Sequence, residues 1–182
     1  MSGAVFTGSP LGIGGGVVFT LLLGFACASD LRARRIPNSL VLALAVSGLA
    51  FSVASDTVAP GLARGAGGAL VGLVIWIPFW LLRWLGAGDV KLFGAAGAWL
   101  GVWGTVEAAV IAAAVGGVLA VGWLVWMRGL RDAVERLMVA TVHPRVLRQP
   151  VSQTADRRRL VPYAVALAAG LIVAGWCPSV FF

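Results

Sequence analysis

Six apolar runs govern what this chain can fold into, each close to the roughly 20 residues a helix needs to cross the hydrocarbon of a bilayer. In lipid every backbone N–H and C=O must be satisfied within its own segment, so runs of this length are read as helices. They fall at about 11–29, 38–54, 66–85, 86–103, 105–127 and 161–179. Asn38 is the expected N-cap of the second, and Pro78 an expected kink in the third. The fold class that follows is all-α, a polytopic membrane protein with six transmembrane helices, read as a single domain over 1–182. Charged residues make up 12% of the chain and hydrophobic residues 60%, which excludes an ordinary soluble domain with about a quarter of its residues charged.

Sidedness comes from the basic residues. No Lys or Arg precedes the first run and three arginines follow it, which argues for a retained span rather than a cleaved signal, with the N-terminus outside. Alternation then puts the C-terminus outside too. The loops after the first, third and fifth spans become cytosolic, and every Lys and Arg except Arg64 falls on that side. The net charge of +7 therefore records topology, and nucleic acid is not an expected partner.

The segment 128–160 is the long polar connection and is expected in the cytosol. Leu130, Val134, Leu137 and Met138 recur at helical spacing between Arg131, Asp132, Glu135 and Arg136, which suggests an amphipathic helix on the inner leaflet. Gly94, Gly97, Ala98 and Gly101 put small residues four apart on the fourth span, a pattern for close helix packing. The eight tryptophans, mostly near span ends, read as interfacial anchors.

The chemistry sits in two places. Leu85-Gly86-Ala87-Gly88-Asp89-Val90-Lys91-Leu92 sets a carboxylate and a cation at the lip of an apolar run, and Asp30 closes the first run ahead of Arg35-Ile36-Pro37-Asn38. An acid within a span costs roughly 2.5 to 3.5 kcal/mol on insertion scales, so it is usually paired or functional. Two spans separate Asp30 from Asp89, so the chain leaves the cytosolic face and returns to it. Both acids are expected there, at similar depth. Gly86 and Gly88 carry no side chain and leave room beside Asp89.

A serine or cysteine nucleophile would need a nearby base, and the lone His143 lies in a loop. No convergent donor set suggests a metal or other cofactor, and Cys27 and Cys177 form no CxxC pair. Two carboxylates in a poorly hydrated site share one proton. The ionised member can activate water while the protonated one hydrogen-bonds a scissile carbonyl and then supplies the leaving amine. That is aspartic protease chemistry. A small transporter using Asp89 as a proton or cation site, and a non-catalytic subunit of a larger membrane assembly, are the readings from other classes.

Gly86-Ala87-Gly88-Asp89-Val90-Lys91-Leu92 resembles the GxGDxKL motif of the type IV prepilin peptidases. Asp30 with Arg35-Ile36-Pro37-Asn38 is similar to their first Asp and its loop, and Val161-Pro162-Tyr163 to the last-helix motif of short members. The resemblance implies Asp30 and Asp89 as the catalytic pair of an intramembrane aspartic endopeptidase. Gly86, Gly88, Lys91, Arg35, Pro37, Asn38, Pro162 and Tyr163 would shape the site and the approach of substrate. The implied substrate is a prepilin or pseudopilin, cut at the cytosolic face of the bacterial inner membrane between a short basic leader and an apolar helix, with pilus assembly machinery as a possible partner. The short first loop lacks the cysteine pairs of long members, so the chain resembles the peptidase-only form that serves tight-adherence or Flp-type pili, without the N-methyltransferase activity of the long enzymes.

Overall fold

The computed structural model describes residues 5–33, 35–82, 85–142 and 163–177, and side-chain surroundings within 5–122 and 165–177. All regular structure among them is helical: α1 Pro10–Ala33, α2 Asn38–Ser55, α3 Val58–Leu81, α4 Ala87–Val142 and α5 Tyr163–Trp176. Four stretches are long and apolar enough to cross a membrane, namely α1, α2, α3 and the Ala87–Leu119 part of α4. The protein is thus an all-α polytopic membrane protein. The last apolar run forms α5, 14 residues long, and 161–162 and 178–182 lie outside the described residues.

The runs expected as the fourth and fifth spans are joined in one helix. A straight helix over the 33 residues Ala87–Leu119 would be about 50 Å long, against about 30 Å of hydrocarbon. Gly101 resolves the mismatch, because its φ of 74° lies in the left-handed region. Thr105 Oγ1 donates to Gly101 O at 2.6 Å and reaches Gly97 O at 3.4 Å. Eight residues of straight helix would put those two positions about 12 Å apart along the axis. The axis is therefore sharply bent at Gly101, close to the expected boundary, without losing its helical hydrogen bonding.

Two compact units can be distinguished, one comprising Met1–Val115 with Pro162–Phe182, the other Gly116–Val161. In the second unit the backbone is helical through 142, which includes the start of the segment expected to be amphipathic; 143–160 lie outside the described residues.

Within the first unit, α1 buries Gly12, Gly16, Phe19, Leu23 and Ala26, a stripe stepping by four and three. The opposite face carries Leu11, Val17, Val18, Leu21 and Phe25, all exposed, as a lipid-facing surface requires. On α3 the buried stripe is Gly61, Gly65, Gly68, Gly72 and Trp76. A Cβ at Gly68 would collide with the Gly97 carbonyl and with Gly101, and one at Gly72 would lie 3.0 Å from Phe93 O. The small residues expected to pack on the fourth span therefore meet a row of glycines on the third.

Two tryptophans depart from the anchoring expectation. Trp99 is 2% exposed, stacks on Phe51 with ring centroids 5.1 Å apart, and donates its indole N–H to Leu44 O at 2.9 Å. Trp76 is buried against Phe93. Both are core residues: α4 is covered by neighbours at every position from Leu92 to Gly101, and Trp76 of α3 packs onto that stretch through Phe93. Trp80 and Trp103 are exposed. Phe6, ahead of α1, is wholly buried among Phe19, Phe51, Trp99 and Trp176, and its N–H donates to Gly175 O at 3.2 Å.

Candidate active site

The buried stripe of α1 runs 12, 16, 19, 23, 26, and the next step of four is Asp30. On α4, Asp89 begins the corresponding series that continues through Phe93, Ala96 and Leu100, all buried. Each acid therefore ends a core-facing row. α1 and α4 meet along those rows, as Phe19 against Trp99 shows, with centroids 5.5 Å apart. The two acids then lie at the same end of the bundle, on one cavity.

Local structure holds them there. Ser29 Oγ donates to Arg35 O at 2.9 Å, closing the turn after Asp30. Pro37, not Asn38, occupies the N-cap position of α2, with φ −62° and ψ 135° and no side-chain capping bond. Its carbonyl accepts the N–H groups of Leu40 and Val41, a task for which proline's fixed φ is suited. Asn38 becomes the first residue of α2, and its side chain is left to the cavity. On the other wall, the Gly86 carbonyl accepts the Asp89 and Val90 N–H groups at 3.2 and 3.3 Å, which starts α4 and aims Asp89 from its first turn.

Asp30, Arg35, Ile36, Asn38, Gly86, Ala87, Gly88, Asp89 and Lys91 line one cavity of about 370 Å³. Both acids are half-buried, whereas Arg35, Asn38, Gly86, Ala87 and Lys91 are exposed, so the cavity opens at the surface. Asp30 and Asp89 lie within electrostatic range of each other, and Cys27, one turn before Asp30, lies within range of both. Among the described residues no three His, Cys, Asp or Glu side chains converge as a metal site would require. Two carboxylates in one cavity open at the surface are a pair that can act as general acid and general base.

The two glycines of the motif play different parts. A Cβ on Gly86 would stand 3.1 Å from Asp89 Oδ2, so Gly86 makes room for the carboxylate itself. A Cβ on Gly88 would meet Ile36 at an ordinary 3.7 Å. Of the residues anticipated from sequence, Asp30, Asp89, Gly86, Gly88, Lys91, Arg35 and Asn38 share the cavity, and Pro37 shapes its loop. Pro162 lies outside the described residues, as does the side chain of Tyr163, which begins α5. Ile36 and Ala87 were not singled out as lining residues; both lie inside the two motifs, between positions that were.

The sequence model of the type IV leader peptidase family matches residues 17–121. That interval contains both acids and both walls of the cavity. The chain is 42% identical over 101 residues to a prepilin leader peptidase/N-methyltransferase of Klebsiella pneumoniae, covering 52% of this chain and 42% of that protein. Proteins of the same description from Pectobacterium carotovorum and Dickeya chrysanthemi are 36% and 38% identical, each over 56% of this chain and 37% and 36% of their own length. The chain thus spans less than half the length of these curated relatives. No solved structure matches it.

Proposed function

Given that the chain belongs to the type IV leader peptidase family, we propose that it is a membrane-embedded aspartic endopeptidase that removes the leader from prepilin or pseudopilin precursors. The observation that carries this reading is the shared cavity of Asp30 and Asp89, brought together from helices far apart in sequence. One carboxylate, ionised, takes a proton from water as the water oxygen attacks the scissile carbonyl carbon. The other, protonated, hydrogen-bonds the carbonyl oxygen and supplies a proton to the nitrogen as the C–N bond breaks. Gly86 keeps the Asp89 carboxylate unobstructed, and the exposed rim lets an extended strand reach the acids from one side.

The proposed location rests on the distribution of basic residues along the chain. A substrate with a basic leader and an apolar helix presents its junction at the cytosolic surface of the inner membrane, where the positive-inside rule puts Asp30 and Asp89. The short α1–α2 connection carries no cysteine pair, which supports the peptidase-only form that serves tight-adherence or Flp-type pili over a bifunctional methylating enzyme. A transport role would want acids near the midplane of broken helices. Asp30 instead lies in the last turn of α1 and Asp89 in the first turn of α4.

Co-expression with candidate prepilins tests the proposal. Wild type should convert precursor to the shorter mature form on an immunoblot, and Asp30→Asn or Asp89→Asn should each reduce conversion by about a thousandfold or more, the scale of losing a catalytic acid or base. Full processing by either variant, at matched membrane levels, would remove the two-carboxylate mechanism.

A further inference from the structure

Peptide hydrolysis has a consequence for a cavity that already holds two carboxylates. The water oxygen bonds to the carbonyl carbon, the C–N bond breaks, and its electron pair goes to nitrogen, which takes up a proton. At neutral pH the products are an ammonium on one fragment and a new carboxylate on the other. That carboxylate forms beside Asp30 and Asp89, where like charge opposes it.

The same cavity is lined by two cations, one from each wall: Arg35 on the α1–α2 connection and Lys91 on α4. Both are exposed, and the ion pair seen among the described residues lies elsewhere, between Asp56 and Arg64. Lys91 follows Asp89 by two positions, about 200° around the helix, so its stem leaves α4 from a different face, and the residue is exposed while still lining the cavity. Arg35 is fixed at its backbone by the Ser29 hydroxyl. The cavity thus carries two exposed cations beside its two acids.

We infer that Lys91, aided by Arg35, receives the C-terminal carboxylate newly made on the leader fragment, so that the cavity prefers a peptide ending in a free carboxylate to the same peptide ending in an amide. This rests on the leader-peptidase reading above. Ammonium and guanidinium groups make charge-assisted hydrogen bonds to such a carboxylate, which an amide cannot match. The contact exists only after the bond is cut, so Lys91 acts on product binding and release.

The test is competition against precursor cleavage by the purified full chain in detergent, using an N-acetylated peptide with the sequence of that precursor's leader, as free acid and as amide. In wild type the free acid should inhibit about tenfold more strongly, the factor a charge-assisted hydrogen bond supplies. That preference should shrink with rising salt, because the cations are exposed. Lys91→Met should reduce it to about twofold or less, and Lys91→Arg should retain it. Equal inhibition by acid and amide in wild type, or a full preference surviving in Lys91→Met combined with Arg35→Gln, would overturn the inference. Cleavage persisting in Asp30→Asn or Asp89→Asn would instead strike the catalytic reading, so the two failures are distinguishable.

Discussion

Gly86 and Gly88 flank the same aspartate and answer differently to an added methyl group. At Gly86 the methyl would press on Asp89 Oδ2 at 3.1 Å, and a carboxylate moved by a fraction of an ångström loses its aim at the reacting carbon. At Gly88 the methyl would make an ordinary contact with Ile36 at 3.7 Å. Gly86→Ala should therefore lower the cleavage rate by about tenfold or more, and Gly88→Ala by about threefold or less, measured on the same precursor. Equal effects would mean that the motif glycines serve the backbone, not the carboxylate. Asn38 offers a further contrast. As the first residue of α2, with no capping bond to lose, its replacement by Ala should leave the melting temperature of the detergent-solubilised protein nearly unchanged.

At the level of elements, the glycine row of α3 decides how α4 can lie. Between lipid-bathed helices there is no hydrophobic drive to associate, so contact energy comes from close packing and from interhelical hydrogen bonds. Gly68 meets the Gly97 carbonyl and Gly101 across that contact, and backbone cannot yield as a side chain can. Gly68→Ala should destabilise the fold by about 1 to 3 kcal/mol, the range of overpacking a tight core, seen as a lower thermal midpoint in detergent. Gly101→Ala is strained for a second reason, since a left-handed L-residue costs about 1 to 2 kcal/mol. Its Cβ would also meet the Arg64 side chain at 3.0 Å. Ser52, whose hydroxyl donates to Ala98 O at 2.8 Å, ties α2 to α4 at the same level. Ser52→Ala should cost about 0.6 to 2 kcal/mol, the worth of a hydrogen bond between helices in a bilayer.

For the whole molecule, charge and length set the frame. α2 has 18 residues, about 27 Å of helix, so the α2–α3 turn, where Asp56 pairs with Arg64 of α3, stands at the opposite end of the bundle from Asp30 and Asp89. If the acids face the cytosol, that turn faces outward. In a background lacking Cys27 and Cys177, Asp56→Cys should react with a membrane-impermeant thiol reagent added to intact spheroplasts, and Ala33→Cys only after lysis. The reverse pattern would invert the orientation and put the substrate junction at the wrong face for the proposed cleavage.

The spacing of apolar runs, the bias of basic residues and the two motifs were enough to determine a helical membrane protein whose two acids end at one level. Those features are local or additive: a helix counts its residues, a loop keeps its charge, and two crossings return the chain to the side it left. Tertiary structure decided the rest. Trp99 lies in the core and Trp103 does not, Phe6 fills the aromatic cluster from ahead of α1, and α4 bends at Gly101 without breaking. The physical reason is that lipid and protein interior are both apolar, so hydrophobicity cannot tell which face of a span turns inward; shape does, through glycines that admit a neighbouring backbone.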